Sequence, residues 1–146
     1  MFMGQYNHSV DAKGRLIMPV KFREQLGEEF VVTKGLDQCL YVYSNEEWKK
    51  IEDNFRERPM TGKDQRKFAR FFFAGAVTCE TDKQGRILVP SILREFAGIE
   101  KDVVLAGVMN RIEIWSAERW SDYAGEYDEE EMDEVAEKMA ELGFGI

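Results

Sequence analysis

Apolar and polar residues alternate with a period of two at the start of the chain, where Tyr6, His8 and Val10 share one side, and again at Val77, Cys79 and Thr81. That period predicts strands with one face turned inward. Each strand runs into a polar turn, Asp11-Ala-Lys-Gly14 or Asp82-Lys-Gln-Gly85, in which Asp can bond the backbone ahead of it and Gly accepts positive φ. A short apolar strand follows, Arg15-Leu-Ile-Met or Arg86-Ile-Leu-Val. Pro19 and Pro90 then open short helices, Pro19–Leu26 and Pro90–Ala97, with Gly27 and Gly98 where a C-terminal cap belongs. Two β-rich runs come next in each half: Phe30–Thr33 with Leu40–Tyr43, and Val103–Leu105 with Ile112–Trp115. Gly35 and Gly107 are assigned to the turns between them. Ser44 and Ser116 have the character of helix caps, with a full capping box only at Ser44-Asn-Glu-Glu47. Glu46–Asn54, Lys63–Phe72 and Met132–Leu142 read as helices, the last with Met132, Val135, Met139 and Leu142 near one face.

The two halves are copies. An offset of 71 aligns Phe2–Glu29 with Phe73–Glu100 at ten identities in 28 positions, among them Asp11/Asp82, Gly14/Gly85, Arg15/Arg86, Pro19/Pro90 and Arg23/Arg94. One inserted residue moves the offset to 72, which matches Val31/Val103, Gly35/Gly107, Ser44/Ser116 and Trp48/Trp120. A unit of this size with strands this short buries too little surface alone. The expectation is therefore a mainly β chain with short helices (α+β), its two units interleaved in a barrel with pseudo-two-fold symmetry. The divisions expected are 5–47 and 76–119 for the repeated units, 48–75 for a helical linker and 120–146 for a tail. Gly4 and Gly75 read as strand bends.

Charge refines this picture. The net charge is −8, but residues 126–146 carry nine acidic and one basic side chain, so the other 125 residues balance at 19 of each sign. Local potential governs binding, so an acidic tail can coexist with a basic face elsewhere. The segment 49–70 holds eight basic and four acidic residues; solvation or a subunit contact is the favoured reading, with pairing to the acidic tail and attraction of DNA as the others. Cys39 and Cys79 lie far apart and form no C-x-x-C pair, so neither a zinc site nor a disulfide framework is expected. No apolar run suits a membrane span, and the opening MFMGQYNHSV lacks a secretory pattern, so a cytoplasmic protein is expected.

Candidate chemistry is sparse. His8, the only histidine, aligns with Cys79 and reads as a core position. No catalytic set, phosphate-cradling loop or metal cluster is evident, so no enzyme activity, cofactor or small-molecule substrate is expected. A barrel enzyme using Asp11 or Asp82 with a nearby Arg is the weaker alternative. Phe71-Phe-Phe73 reads as core, Trp48 and Trp120 as barrel cover, and Lys21, Arg23 and Arg94 as solvated helix surface. Two readings of Asp-x-x-Gly-Arg stay open. The Asp–Arg pair can simply fix each turn, or the Arg can project and bridge the O6 and N7 of guanine, or a phosphate, through its planar fork.

The doubled pattern DAKGRLIMP and DKQGRILVP, with GLDQCLYVY, RKFARFFFAGAV and NRIEIWS, resembles the MraZ family, whose members have two SpoVT-AbrB type domains. The likeness covers nearly the whole chain and is weakest after about Gly125. It implies a swapped-hairpin barrel, assembly into a ring of subunits, and a transcription factor that binds repeated G-rich promoter boxes upstream of its own division and cell-wall operon, as a repressor associated with the nucleoid. It implies Arg15 and Arg86 as DNA contacts. Lys13 and Lys83 would then touch phosphates, while Asp11, Gly14, Asp82 and Gly85 shape the turns. The expected partners are double-stranded DNA and further copies of the chain, with no membrane. The alternative is a ring-forming interaction scaffold without specific DNA binding.

Overall fold

The computed structural model describes residues 1–146. Its first half contains β1 (Phe2–Ser9), β2 (Arg15–Ile17), α1 (Val20–Leu26), β3 (Glu29–Lys34) and β4 (Leu40–Ser44). Two longer helices, α2 (Asn45–Arg56) and α3 (Lys63–Ala74), lead to the second half. There β5 (Val77–Glu80), β6 (Arg86–Leu88), α4 (Ser91–Ala97), β7 (Asp102–Met109) and β8 (Arg111–Ser116) repeat the series. The chain ends in α5 (Ala117–Arg119), a π-helical turn over Trp120–Ala124 and α6 (Glu129–Glu141).

The strand order explains why one unit is not enough. Six antiparallel strands run β1-β7-β8-β4-β3-β5, and β2 pairs β6 in a separate ribbon. The order is a palindrome once β1 is matched with β5, β7 with β3 and β8 with β4. The first strand of each half therefore pairs inside the other half, as in Tyr6 opposite Leu105 and Cys79 opposite Phe30. The halves are interleaved, and the mixed α+β fold is duplicated. Val10 bridges to Leu16, joining sheet to ribbon.

Alternation along the strands builds two apolar layers. Phe30, Val32, Leu40, Val42, Leu105, Ile112 and Ile114 point inward, onto Leu16, Met18, Ile87 and Val89 at the ribbon and Phe22 and Leu93 of the short helices. Full burial of each large side chain is worth roughly 1.5–3 kcal/mol, so this layer dominates folding. On the other face, Tyr41, Tyr43, Val104 and Trp115 pack under Phe72, Trp48 and Trp120. The buried Thr33 hydroxyl donates to the Phe72 carbonyl at 2.6 Å, which ties α3 to β3. Phe71 and Phe73 are only half-buried; Phe71 contacts Phe96 edge-on, and Phe73 contacts Trp48.

Several local expectations shift. Pro19 and Pro90 are N-caps, and the helices begin one residue later. Ser44 and Ser116 cap as expected, accepting from Glu47 N at 3.2 Å and Arg119 N at 3.0 Å. Gly107 is not in a turn: it lies inside β7 opposite Gly4, and a methyl group there would meet the Met3 backbone nitrogen at 2.5 Å. The hairpin reverses at Met109 and Asn110 instead, with Met109 at φ 61°. Gly75 is not a strand bend but closes α3. His8 is half-buried rather than core.

Candidate nucleic-acid interface

Each Asp-x-x-Gly-Arg turn is built by its aspartate. Asp11 Oδ1 accepts from the backbone N–H of Lys13 at 3.0 Å and of Arg15 at 2.8 Å, and Oδ2 accepts from Arg15 Nε at 2.7 Å. Asp82 repeats this with Gln84 N at 2.9 Å, Arg86 N at 2.9 Å and Arg86 Nε at 2.8 Å. Gly14 and Gly85 sit at φ 85° and 78°, where only glycine is unstrained, and their N–H groups return to the carbonyls of Asp11 and Asp82 at 3.0 Å. The N–H groups of Arg15 and Arg86, foremost, hold the two carboxyls below their ordinary range. An aspartate so fully engaged is a poor proton acceptor, which argues against the enzyme reading.

The two open readings of the motif are compatible. Asp fixes the turn and grips Nε, and the two terminal nitrogens of each guanidinium have no hydrogen-bond partner in the protein. The arginine side chains are 33% and 27% exposed. Lys13 and Lys83 are exposed beside them and form no ion pair.

The ribbon brings both tips into one surface. Arg15 lies opposite Leu88 and Ile17 opposite Arg86, while Leu16 and Ile87 pair between them. Side chains directly opposite on antiparallel strands share a face. Leu16 and Ile87 are buried at 0% and 1%, so Arg15, Ile17, Arg86 and Leu88 form the outward face, and Ile17 and Leu88 are 45% and 58% exposed. The pairing continues beyond the strands: Met18 N donates to Gly85 O and Val89 N to Gly14 O, both at 2.9 Å.

Arg23 and Arg94 are not solvated surface. The Arg94 guanidinium covers Gly14, so that a methyl group at Gly14 would sit 3.0 Å from its Cζ, and Arg94 Nε donates to Val89 O at 3.0 Å. Arg23 covers Gly85 in the same way, 2.5 Å from the corresponding methyl position, with its Nε buried and unpartnered. Each tip is thus backed by an arginine from the other half. The signal was present in the repeat, since Arg23/Arg94 and Gly14/Gly85 both match, but their contact crosses between halves and no spacing reveals it.

Comparison with known proteins agrees with the duplication. A family model described as "MraZ protein, putative antitoxin-like" matches twice, over residues 1–71 and 72–142. The chain belongs to the MraZ family. It is 60% identical over 144 residues to the transcriptional regulator MraZ of Thermoanaerobacter sp. (strain X514), covering 99% of this chain and all of that one. The protein of the same name from Caldanaerobacter subterraneus subsp. tengcongensis is 60% identical over 139 residues, 95% of this chain and 96% of its own. That from Acetivibrio thermocellus is 57% identical over 144 residues, 99% of this chain and all of its own. No helix is long and apolar enough to cross a membrane.

Proposed function

We propose that the chain is a sequence-specific DNA-binding transcriptional regulator that reads bases with the outward face of its β2–β6 ribbon. The observation that carries this is the pair of aspartate-gripped guanidinium groups with free forks, set on one two-stranded ribbon. A major groove admits such a ribbon, and a free fork matches the O6 and N7 acceptors of guanine. Leu88 beside Arg15 and Ile17 beside Arg86 suit the methyl group of a neighbouring thymine. Lys13 and Lys83 add phosphate contacts that position without specifying.

One ribbon makes few contacts and binds weakly by itself. Assembly of several copies in a ring would present ribbons at fixed spacing to repeated promoter boxes and convert later contacts into intramolecular ones. Bound across its own operon's promoter in the nucleoid, such an assembly acts as a repressor. The test is fluorescence anisotropy of the full chain with the duplex upstream of its own gene. Binding that resists nonspecific competitor and weakens steeply with salt is expected. Failure of well-folded protein to bind that duplex above competitor would reject the reading and leave an interaction scaffold.

A further inference from the structure

The helix α6 stands alone. Every residue from Gly125 to Ile146 is exposed, although a free 13-residue helix is marginal in water. Asp128 caps it by accepting from Glu130 N at 3.2 Å, and three glutamates in its first turn with Lys138 in its last suit the helix dipole. Those features help the helix form but cover nothing. Met132, Val135, Met139 and Leu142 fall on one stripe, 37–72% exposed, bordered by Glu129 and Asp133 on one edge and by Glu131 and Lys138 on the other.

The complementary surface lies on the α2–α3 hairpin. An open apolar groove of about 200 Å³, lined by Leu36, Ile51, Phe55, Phe68 and Phe71 with Lys34 at its rim, has room for a Met or Leu side chain. On the exposed face of α3, Lys63, Lys67 and Arg70 recur at helical spacing and form no ion pair, with Lys67 next to the groove-lining Phe71 on the helix surface. The hairpin segment 49–70 carries a net charge of +4 against −8 for residues 126–146.

We infer that α6 of one copy seats its apolar stripe in the α2–α3 groove of a second copy, with its Glu129–Asp133 edge against Lys63, Lys67 and Arg70. The chain's own groove is left open while its own helix is exposed. The connection between them is held by Tyr123, whose hydroxyl donates to Asp37 at 2.9 Å, and by Gly125 N, which donates to Trp120 O at 2.5 Å. A helix on one surface and a groove on another make a head-to-tail contact, which propagates from copy to copy and closes if its rotation allows. This inference rests on the proposed assembly and names its contact.

The test uses the full chain. Lys63→Glu/Lys67→Glu/Arg70→Glu and Val135→Asp/Met139→Asp alter exposed or partly exposed positions, so native circular dichroism is expected. Light scattering should show each falling from the wild-type assembly to single-chain mass. Met139→Cys and Leu36→Cys subunits, mixed under mild oxidation, should form a disulfide-linked dimer; the buried Cys39 and Cys79 stay silent. A disulfide only within a doubly substituted single chain, or none at all, overturns the inference. So does full mass in both charge variants. Wild-type protein that is itself monomeric would sink both this contact and the assembly, whereas an intact wild-type assembly without the cross-link sinks the contact alone.

Discussion

Replacing Arg15 with alanine separates the two roles of the turn. In the fold, Arg15 contributes an exposed ion pair to Asp11 at 2.7 Å, and such pairs add little. Asp11 keeps its bonds to the N–H groups of Lys13 and residue 15, so the turn survives the substitution. The expected shift in Tm is within about 2 °C. On DNA, the loss is the free fork. A bidentate arginine–guanine contact is worth about 1–3 kcal/mol of discrimination, which corresponds to roughly 5- to 150-fold in affinity for each ribbon engaged. Anisotropy titrations at one fixed salt concentration would measure it. A duplex with 7-deazaguanine in place of guanine should weaken the wild-type protein more than Arg15→Ala, whose remaining sensitivity comes from Arg86. Arg15→Lys keeps a point charge but not the fork, so it should retain salt-dependent binding and lose the share of guanine preference that Arg15 supplies. Native-like Arg15→Ala protein that binds its duplex with wild-type affinity refutes the argument, because the guanidinium would then be doing nothing beyond its bond to Asp11.

Substituting deoxyuridine for thymine in the bound duplex should weaken wild-type binding several-fold and leave an Ile17→Ala/Leu88→Ala variant indifferent; equal sensitivity of both proteins would remove these side chains from readout. Gly85→Ala should cost about 1–2 kcal/mol from left-handed strain, plus the displacement of Arg23, as read by urea unfolding. With Asp11 and Asp82 below their ordinary value of 3.8, the carboxylates favour the folded tips at all higher pH, and the advantage disappears only as pH falls through the lowered folded values. Tip resonances followed by NMR should therefore stay fixed between about pH 5 and 8 and move only in acid. Burial pushes the Cys39 thiol up to about 12 and that of Cys79 up to about 11, so Ellman's reagent at pH 8 should label neither until the protein unfolds.

Much of this architecture is legible in the chain because local chemistry and tertiary role coincide. Asp11, Gly14 and Arg15 form a turn whose bonds close within five residues, so its sequence pattern is nearly its structure. The strand periods survive for the same reason: Phe30, Val32, Leu40 and Val42 alternate because a sheet face is buried. What stays hidden depends on contacts between distant positions. Gly107 reads as a turn former, yet it is a strand residue that lets β1 approach closely. Ile17 and Leu88 stand within short apolar strands, but the ribbon has only one buried face, and register puts them on the other. The stripe on α6 is plain in sequence; its lack of a cover is visible only in three dimensions.

The exchange between halves explains why a doubled motif is needed where a single copy carries all the tip chemistry. Tip one is turned by Asp11 and Gly14, but the Gly14 carbonyl is held by Val89 N, and Arg94 covers the glycine. Tip two takes Met18 N and Arg23 from the first half. The β2–β6 pairing that sets Arg15 and Arg86 on one face does not exist in either half alone. Duplication therefore does more than double the number of arginines. It fixes their separation and common direction through backbone bonds, so under the proposed reading the ribbon would enter a groove already ordered and lose little conformational entropy on contact. The unlike neighbours, Ala12-Lys13 at one tip and Lys83-Gln84 at the other, then act on a rigid frame, where a small chemical difference can distinguish the two ends of a site.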